Sequence, residues 1–154
     1  MGGRDKAVWQ SAQSGQCETS LFTLDWVELD REHRTIEVKG IKAKTRQRRL
    51  VSIADNLLGW LTPQLKPSGA ITPKRNIDVF SERLHGLAMN AGISPWPHNA
   101  MRHSFGSYFL GKTKDENLTA SEMCNSPEVI IKHYRAIVRD AEVTRYWAMV
   151  PGNV

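Results

Sequence analysis

Trp96-Pro-His-Asn-Ala-Met-Arg-His-Ser-Phe105 and, further along, Asn125-Ser-Pro-Glu-Val-Ile-Ile-Lys-His-Tyr134 hold a guanidinium, several imidazoles and a phenol at helix-compatible spacings beside apolar anchors. Pro95 and Pro97 disfavour helix in the residues before them, so a helix can begin only at about His98 or Asn99, and Asn99 suits the cap. From there Met101, Phe105, Tyr108 and Phe109 recur at helical spacing as a buried stripe. Arg102 stands at the edge of that stripe, about one turn inside the helix, near backbone N–H groups that suit an anion such as phosphate. Taken by itself it is also readable as an ordinary surface arginine. Ser126-Pro127-Glu128 reads as an N-cap, a proline at the first helical position and an acid in the first turn, which starts a second helix running through His133-Tyr134-Arg135. Val129 and Ile130 lie about one turn from His133 and Tyr134, so Tyr134 by itself reads as a core aromatic.

Outward from this stretch, the chain has one domain's worth of material. Its 154 residues with 40% hydrophobic content can bury a single core, and residues 1–154 are expected to form one domain with 1–14 as a weakly ordered lead-in. Lysine and arginine outnumber the acids by 21 to 16. The resulting sequence pI near 9.4 favours a polyanionic partner over an acidic or neutral one. Cys17 and Cys124 show no metal-ligand spacing and nothing suggests an oxidising compartment, so free thiols are expected. No apolar run has the length of a membrane span, and the opening Met1-Gly-Gly-Arg-Asp lacks the core of a signal peptide. A cytoplasmic protein without a membrane partner is the expectation. The five histidines form no metal cluster, so no metal is expected.

In chain order, Leu21, Leu24 and Phe22 suggest a short helix leading to Trp26. Thr35-Ile-Glu-Val38 and Arg49-Leu-Val-Ser-Ile53 alternate as two strands, and Gly40 permits the turn or bulge between them, giving a hairpin over 33–53. Along it run Lys39, Lys42, Lys44, Arg46, Arg48 and Arg49 with no acid among them. Positions 42, 44, 46 and 48 keep period two, so in an extended chain they project from one face. Such a ridge fits a nucleic-acid backbone, because each neutralised phosphate releases counterions; it also fits a solvated edge that discourages strand pairing. Asp55 to Leu61 reads as a short helix stopped at Pro63, and 63–73 as a loop. Ile77, Phe80, Leu84 and Leu87 mark a scaffold helix from Lys74 to about Ala91, ended by Asn90 or Gly92. A short helix follows Thr113, and Asp140 is expected to cap a last one carrying Val143, Tyr146 and Trp147. The fold class is α+β, mostly helical, with a small antiparallel sheet at one edge of the helices.

Asn99-Ala-Met-Arg102-His103-Ser-Phe, then Cys124-Asn125-Ser-Pro, then Tyr134 nine residues after Asn125, resemble the C-terminal catalytic domain of the tyrosine recombinase, or phage integrase, family. That family reads His-x-x-Arg-His, later Gly-His-Ser-Ser, later the nucleophilic tyrosine. Residues 15–30 are similar to its Gly-x-Arg-x-x-Glu-x-x-x-Leu-x-Trp-x-Asp-Ile-Asp, with Gly15, Leu24, Trp26, Leu29 and Asp30 in place, Cys17 at the first catalytic arginine and Ser20 at the glutamate. Lys44 through Arg49-Leu-Val-Ser-Ile matches its Lys-x-x-x-x-Arg-Leu-Val-Pro-Leu hairpin.

The resemblance implies a phenol that attacks a DNA phosphodiester to give a phosphotyrosyl link and a free 5′ hydroxyl, with no cofactor. Tyr134 would be the nucleophile, Arg102 the phosphate clamp and Lys44, on the hairpin, the general acid. Cys17, Asn99 and Asn125 replace the first arginine and the two main histidines, with His98, His103 and His133 as auxiliary imidazoles. Asparagine donates a hydrogen bond but cannot shuttle a proton, so the implied DNA integration or recombination, as in a mobile element, is expected to be reduced or lost. The alternative is a non-catalytic DNA-binding or assembly module on the same fold, with general RNA binding as a third class. Lys39, Lys42, Arg46, Arg48 and Arg49 are the expected DNA-binding set, and the implied partners are double-stranded DNA and further copies associating on it. The resemblance begins near Gly15, so the helices before that point in the family and its separate DNA-grasping domain are expected to be absent. It further predicts that Cys17, Lys44, Asn99, Arg102, Asn125 and Tyr134 converge on one basic concavity, with Tyr134 exposed or on a segment that moves toward it.

Overall fold

The structure, a computed structural model, describes residues 24–39, 48–71, 77–97, 99–135 and 138–152. The lead-in, Leu21 and Phe22 of the short helix expected before Trp26, Cys17, Ser20, Lys42, Lys44, Arg46, Lys74 and His98 lie outside the described residues, while Leu24 is described and not helical.

Asp25 caps a 3-10 turn, Trp26–Glu28: its Oδ1 accepts the Val27 N–H at 3.1 Å while Glu28 Oε2 accepts the Asp25 N–H at 2.9 Å. The chain then enters strand β1 (Leu29–Asp30), turns through Arg34 at φ 53, and returns as β2 (Thr35–Val38). Strand β3 (Arg49–Ser52) completes a three-stranded antiparallel sheet in the order β1-β2-β3, with Ile36 opposite Val51 and Val38 opposite Arg49. The hairpin expected over 33–53 is therefore formed by β2 and β3. The additional strand β1 pairs Leu29 with Ile36 and Asp30 with Thr35. Ile36, Val38, Val51 and Ile53 are buried and point to one face, as period two requires, whereas Leu50 faces out.

Helix α1 (Asp55–Leu61) runs into a 3-10 turn, Thr62–Gln64, that carries Pro63. Helix α2 (Ile77–Asn90) ends in a turn with Gly92 at φ 75, where the Ile93 N–H reaches back to the Ala88 carbonyl at 2.8 Å. Helices α3 (Ala100–Thr113), α4 (Glu116–Met123), α5 (Pro127–Tyr134) and α6 (Asp140–Trp147) follow. Ser126 and Pro127 start α5 as the sequence predicts, and the helix stops at Tyr134. The N-cap of α6 is Arg139, one residue before the expected Asp140, whose carboxylate instead pairs with Lys114 at 2.8 Å.

The described chain is thus mostly helical with a small antiparallel sheet. Two apolar clusters hold it. One packs the inner face of the sheet against Leu24, Trp26, Leu57, Leu61, Ile71, Leu84 and Met101. The second gathers Phe105, Leu110, Ala120, Met123, Ile130 and Tyr134, with Phe109 and Trp147 against it. Helix α3 spans both, giving Met101 to the first and Phe105 and Leu110 to the second. Past α6 the backbone folds onto α1: Trp60 Nε1 donates to the Met149 carbonyl at 3.1 Å, and Val150 and Pro151 lie over Gly59.

Candidate functional site

Arg102 projects from the first turn of α3 toward the C-terminal end of α4, where its Nη2 donates to the Met123 carbonyl at 2.6 Å. That carbonyl is among those at a helix end with no partner inside the helix, at the negative pole of its dipole, so a guanidinium belongs there. The end of α4 is shaped by Cys124, an unbridged, exposed cysteine at φ 51, ψ 46. Its N–H bonds back to Ala120 and Ser121, and the Asn125 N–H reaches the Ala120 carbonyl at 2.9 Å. This left-handed closure turns the chain sharply and leaves Asn125 half-buried beside the start of α5.

Tyr134, the last residue of α5, is only 4% exposed. Its ring lies against α3: a Cβ built on Gly106 would meet Tyr134 Cε1 at 2.8 Å, and the His103 imidazole lies 5.4 Å away between ring centroids. Burial pushes the phenol above its ordinary value, and the nearby Arg102 charge opposes that shift. Tyr134 therefore has the geometry of the core aromatic that its spacing suggests, with its phenol held protonated and within the electrostatic reach of the guanidinium. His133, its neighbour, is exposed on α5.

Asn99 occupies the N-cap of α3, but at φ 52 its side chain makes no capping bond; its carbonyl accepts the His103 N–H at 2.9 Å. Arg102, His103, the Met123-Cys124-Asn125 turn and Tyr134 are thus brought together, with Asn99 one turn away on α3. Whether Cys17, Lys44 and His98 join them falls outside the described residues.

Two of the hairpin cations have acidic neighbours that the linear run of basic residues does not reveal. Arg48 Nε donates to Glu37 Oε1 at 2.7 Å, and Lys39 Nζ lies 3.5 Å from Glu28 Oε1. Glu28 is 5% exposed, and Lys39 joins the Asp25 N–H in answering its buried carboxylate. Arg48 and Glu37 are paired at the surface, where solvent weakens the bond and a phosphate can compete for the cation. The signal for Glu37 is the antiparallel register, which sets it on β2 beside the end of β3. Arg49 lies in β3 opposite Val38. The sheet is tied to the α4 end of the site by Ser52, whose hydroxyl donates to Glu122 Oε1 at 2.7 Å.

Among the described residues no group of three or more His, Cys, Asp or Glu side chains could hold a metal ion, and no helix is long and apolar enough to cross a membrane. No family model matches the chain, and searches of curated proteins and of solved structures return no significant match.

Proposed function

We propose that the chain is a double-stranded-DNA-binding protein of the tyrosine-recombinase kind, whose strand-cleaving capacity is reduced or lost. The observation that carries this reading is the gathering, from three helices, of Arg102 on the Met123 carbonyl at the 123–125 turn and of Tyr134 against His103 and Gly106. On this reading DNA docks across the basic hairpin and the α3–α4 end. Arg102 then exchanges its carbonyl partner for a phosphate, which its planar fork suits better. The phenol oxygen of Tyr134 attacks phosphorus as its proton passes to the neighbouring His103 imidazole, the bond to the 5′ oxygen breaks, and the Lys44 ammonium gives its proton to the departing oxygen. A phenol is a weak nucleophile at neutral pH, so the reaction depends on donors that neutralise the phosphate. Each missing donor commonly lowers the rate by about 10²–10³. With Cys17, Asn99 and Asn125 in place of an arginine and two histidines, cleavage is slow or absent.

The second reading, a DNA-binding or assembly module that no longer cuts, is favoured by the burial of Tyr134. Covalent trapping on nicked duplexes separates the two. The proteins compared are the native chain, Tyr134→Phe, and a variant carrying Cys17→Arg, Asn99→His and Asn125→His. A trace adduct lost in Tyr134→Phe, or an adduct gained in the restored variant, supports the recombinase reading. No adduct from either protein, with duplex binding intact, supports the module. Absence of duplex binding at low salt overturns both.

A further inference from the structure

We infer that Gly106 is the positioning residue of Tyr134: the missing side chain at this point of α3 is the notch that holds the phenol ring inside the molecule, and any side chain there drives the ring out. A glycine in a helix interior is unfavourable relative to alanine, and at Gly106 close packing supplies a reason for it that is missing at Gly86. Gly86, within α2, has nothing within 4 Å of where its Cβ would be; at Gly106 that atom would lie 2.6 Å from Met123 Sδ, 2.8 Å from Met123 Cε and 2.8 Å from Tyr134 Cε1. Met123 is fully buried, so its flexible end has little space into which to retreat. The tyrosine ring is the part that can leave, because it stands at the last residue of its helix.

The anchoring of α5 points the same way. Among its eight residues only Ile130 and Tyr134 are buried, while Val129 and Ile131 are exposed. A helix this short does not persist without tertiary packing. Taking the ring out of the notch removes one of two anchors and releases the C-terminal end of α5, with Ile130 still holding the middle. The exposed His103 is the ring's neighbour at the site, so the phenol emerges beside the residue before it on α3, Arg102. Gly106 thereby sets the balance between a stored and a presented phenol. Use of the presented phenol on a phosphodiester rests on the recombinase reading; the placement of the ring does not.

The test is Gly106→Ala, made in the native chain and with Tyr134→Phe. The chain has three tyrosines, so subtracting the Tyr134→Phe protein isolates the ionisation and nitration of Tyr134. In the native chain Tyr134 is expected to ionise above the ordinary tyrosine value and to resist tetranitromethane. In Gly106→Ala its titration should fall back toward that value; a fall of one unit raises the tyrosinate fraction, and with it nitration, about tenfold at a given pH. A merely structural loss would lower stability without selectively changing Tyr134. Should Gly106→Ala not fold, Gly106→Ala with Met123→Ala takes the methionine sulfur and methyl out of the notch and leaves the ring as the obstacle, and the same signature is expected. Unchanged titration and nitration of Tyr134 in a folded variant would overturn the inference. Covalent trapping on a nicked duplex is read separately. A shifted Tyr134 with no adduct, even with Cys17→Arg, Asn99→His and Asn125→His added, leaves Gly106 as the positioning residue and counts against the recombinase reading, whereas a shift with more adduct upholds both.

Discussion

Cys124 stands where a helix closes in the left-handed region, at φ 51, and Cys124→Gly is expected to stabilise the chain. For an L-residue this conformation costs roughly 1–2 kcal/mol, because Cβ crowds the following carbonyl oxygen. Glycine escapes that cost but brings about 0.5–1 kcal/mol of extra chain entropy to the unfolded state. The difference leaves a gain of about 0.5–1 kcal/mol, or ~1–4 °C in Tm for a domain of this size. Cys124→Ala is the control: it removes the same thiol but keeps a Cβ and therefore the strain, and at this exposed position it should stay within about 0.5 kcal/mol of native. The two variants and the native chain are compared by urea and thermal denaturation under reducing conditions. The hydrogen bonds from residues 124 and 125 back to Ala120 and Ser121 involve only backbone and survive all three sequences. If the glycine variant is no more stable than the alanine variant, the strain assigned to Cys124 is wrong.

Gly111→Ala should destabilise, because the added Cβ would meet Val143 Cγ2 at 2.6 Å and Val138 Cγ2 at 3.0 Å. Overpacking of ~1–3 kcal/mol against a propensity gain of ~1 leaves about 1 kcal/mol lost, and a denaturation midpoint at or above native would refute it. Burial holds the phenols of Tyr134 and Tyr146 above their ordinary value of 10.0, with the charge of Tyr108 adding to the effect at Tyr146. The folded chain therefore keeps protons that the unfolded chain releases. Stability should be intact below about pH 10 and decline as pH rises further; urea midpoints between about pH 9 and 11 should fall in the native chain and less steeply in Tyr146→Phe. For DNA, changing Lys42, Arg46 and Arg48 together to alanine should weaken binding to any duplex and flatten the slope of log K against log salt by up to about 3 units, one for each phosphate that is no longer neutralised; unaltered affinity would reduce the ridge to a solvated edge.

The parts of the fold legible in the sequence are those set by local chemistry. Ile77 to Asn90, Ala100 to Thr113 and Pro127 to Tyr134 follow from apolar spacing bounded by Asn99, Ser126-Pro127 and Gly92, and the β2–β3 hairpin follows from alternation around Ile36, Val38 and Val51. What the sequence hides comes from pairing over distance. Strand β1 is two residues long and exists only because β2 returns beside it. Glu37 and Glu28 lie outside the basic run in sequence, and only the folded hairpin and capped turn bring them to Arg48 and Lys39. At the site, the spacings of Arg102, Asn125 and Tyr134 bring their segments together. They do not tell that the guanidinium meets a helix carbonyl and the ring lies against a glycine, because both depend on how α3, α4 and α5 cross. The sequence leaves Tyr134 readable as core aromatic or nucleophile, and packing at Gly106 gives it the first of these environments.

The meeting of α1 with the backbone beyond α6 has a consequence for synthesis. Trp60 finds its acceptor on Met149, 89 residues later, and Asn56 its acceptor on Tyr146, 90 residues later. At typical ribosomal speeds roughly 4–18 s pass before these two long-range contacts can form. Residues 24–71 can close their own sheet in that time, but the outer side of α1 stays unfinished until Val150 and Pro151 arrive to cover Gly59. A nascent chain stalled before residue 146 should therefore present α1 to proteases and chaperones, and one stalled behind an added C-terminal linker long enough for residue 151 to clear the exit tunnel should not.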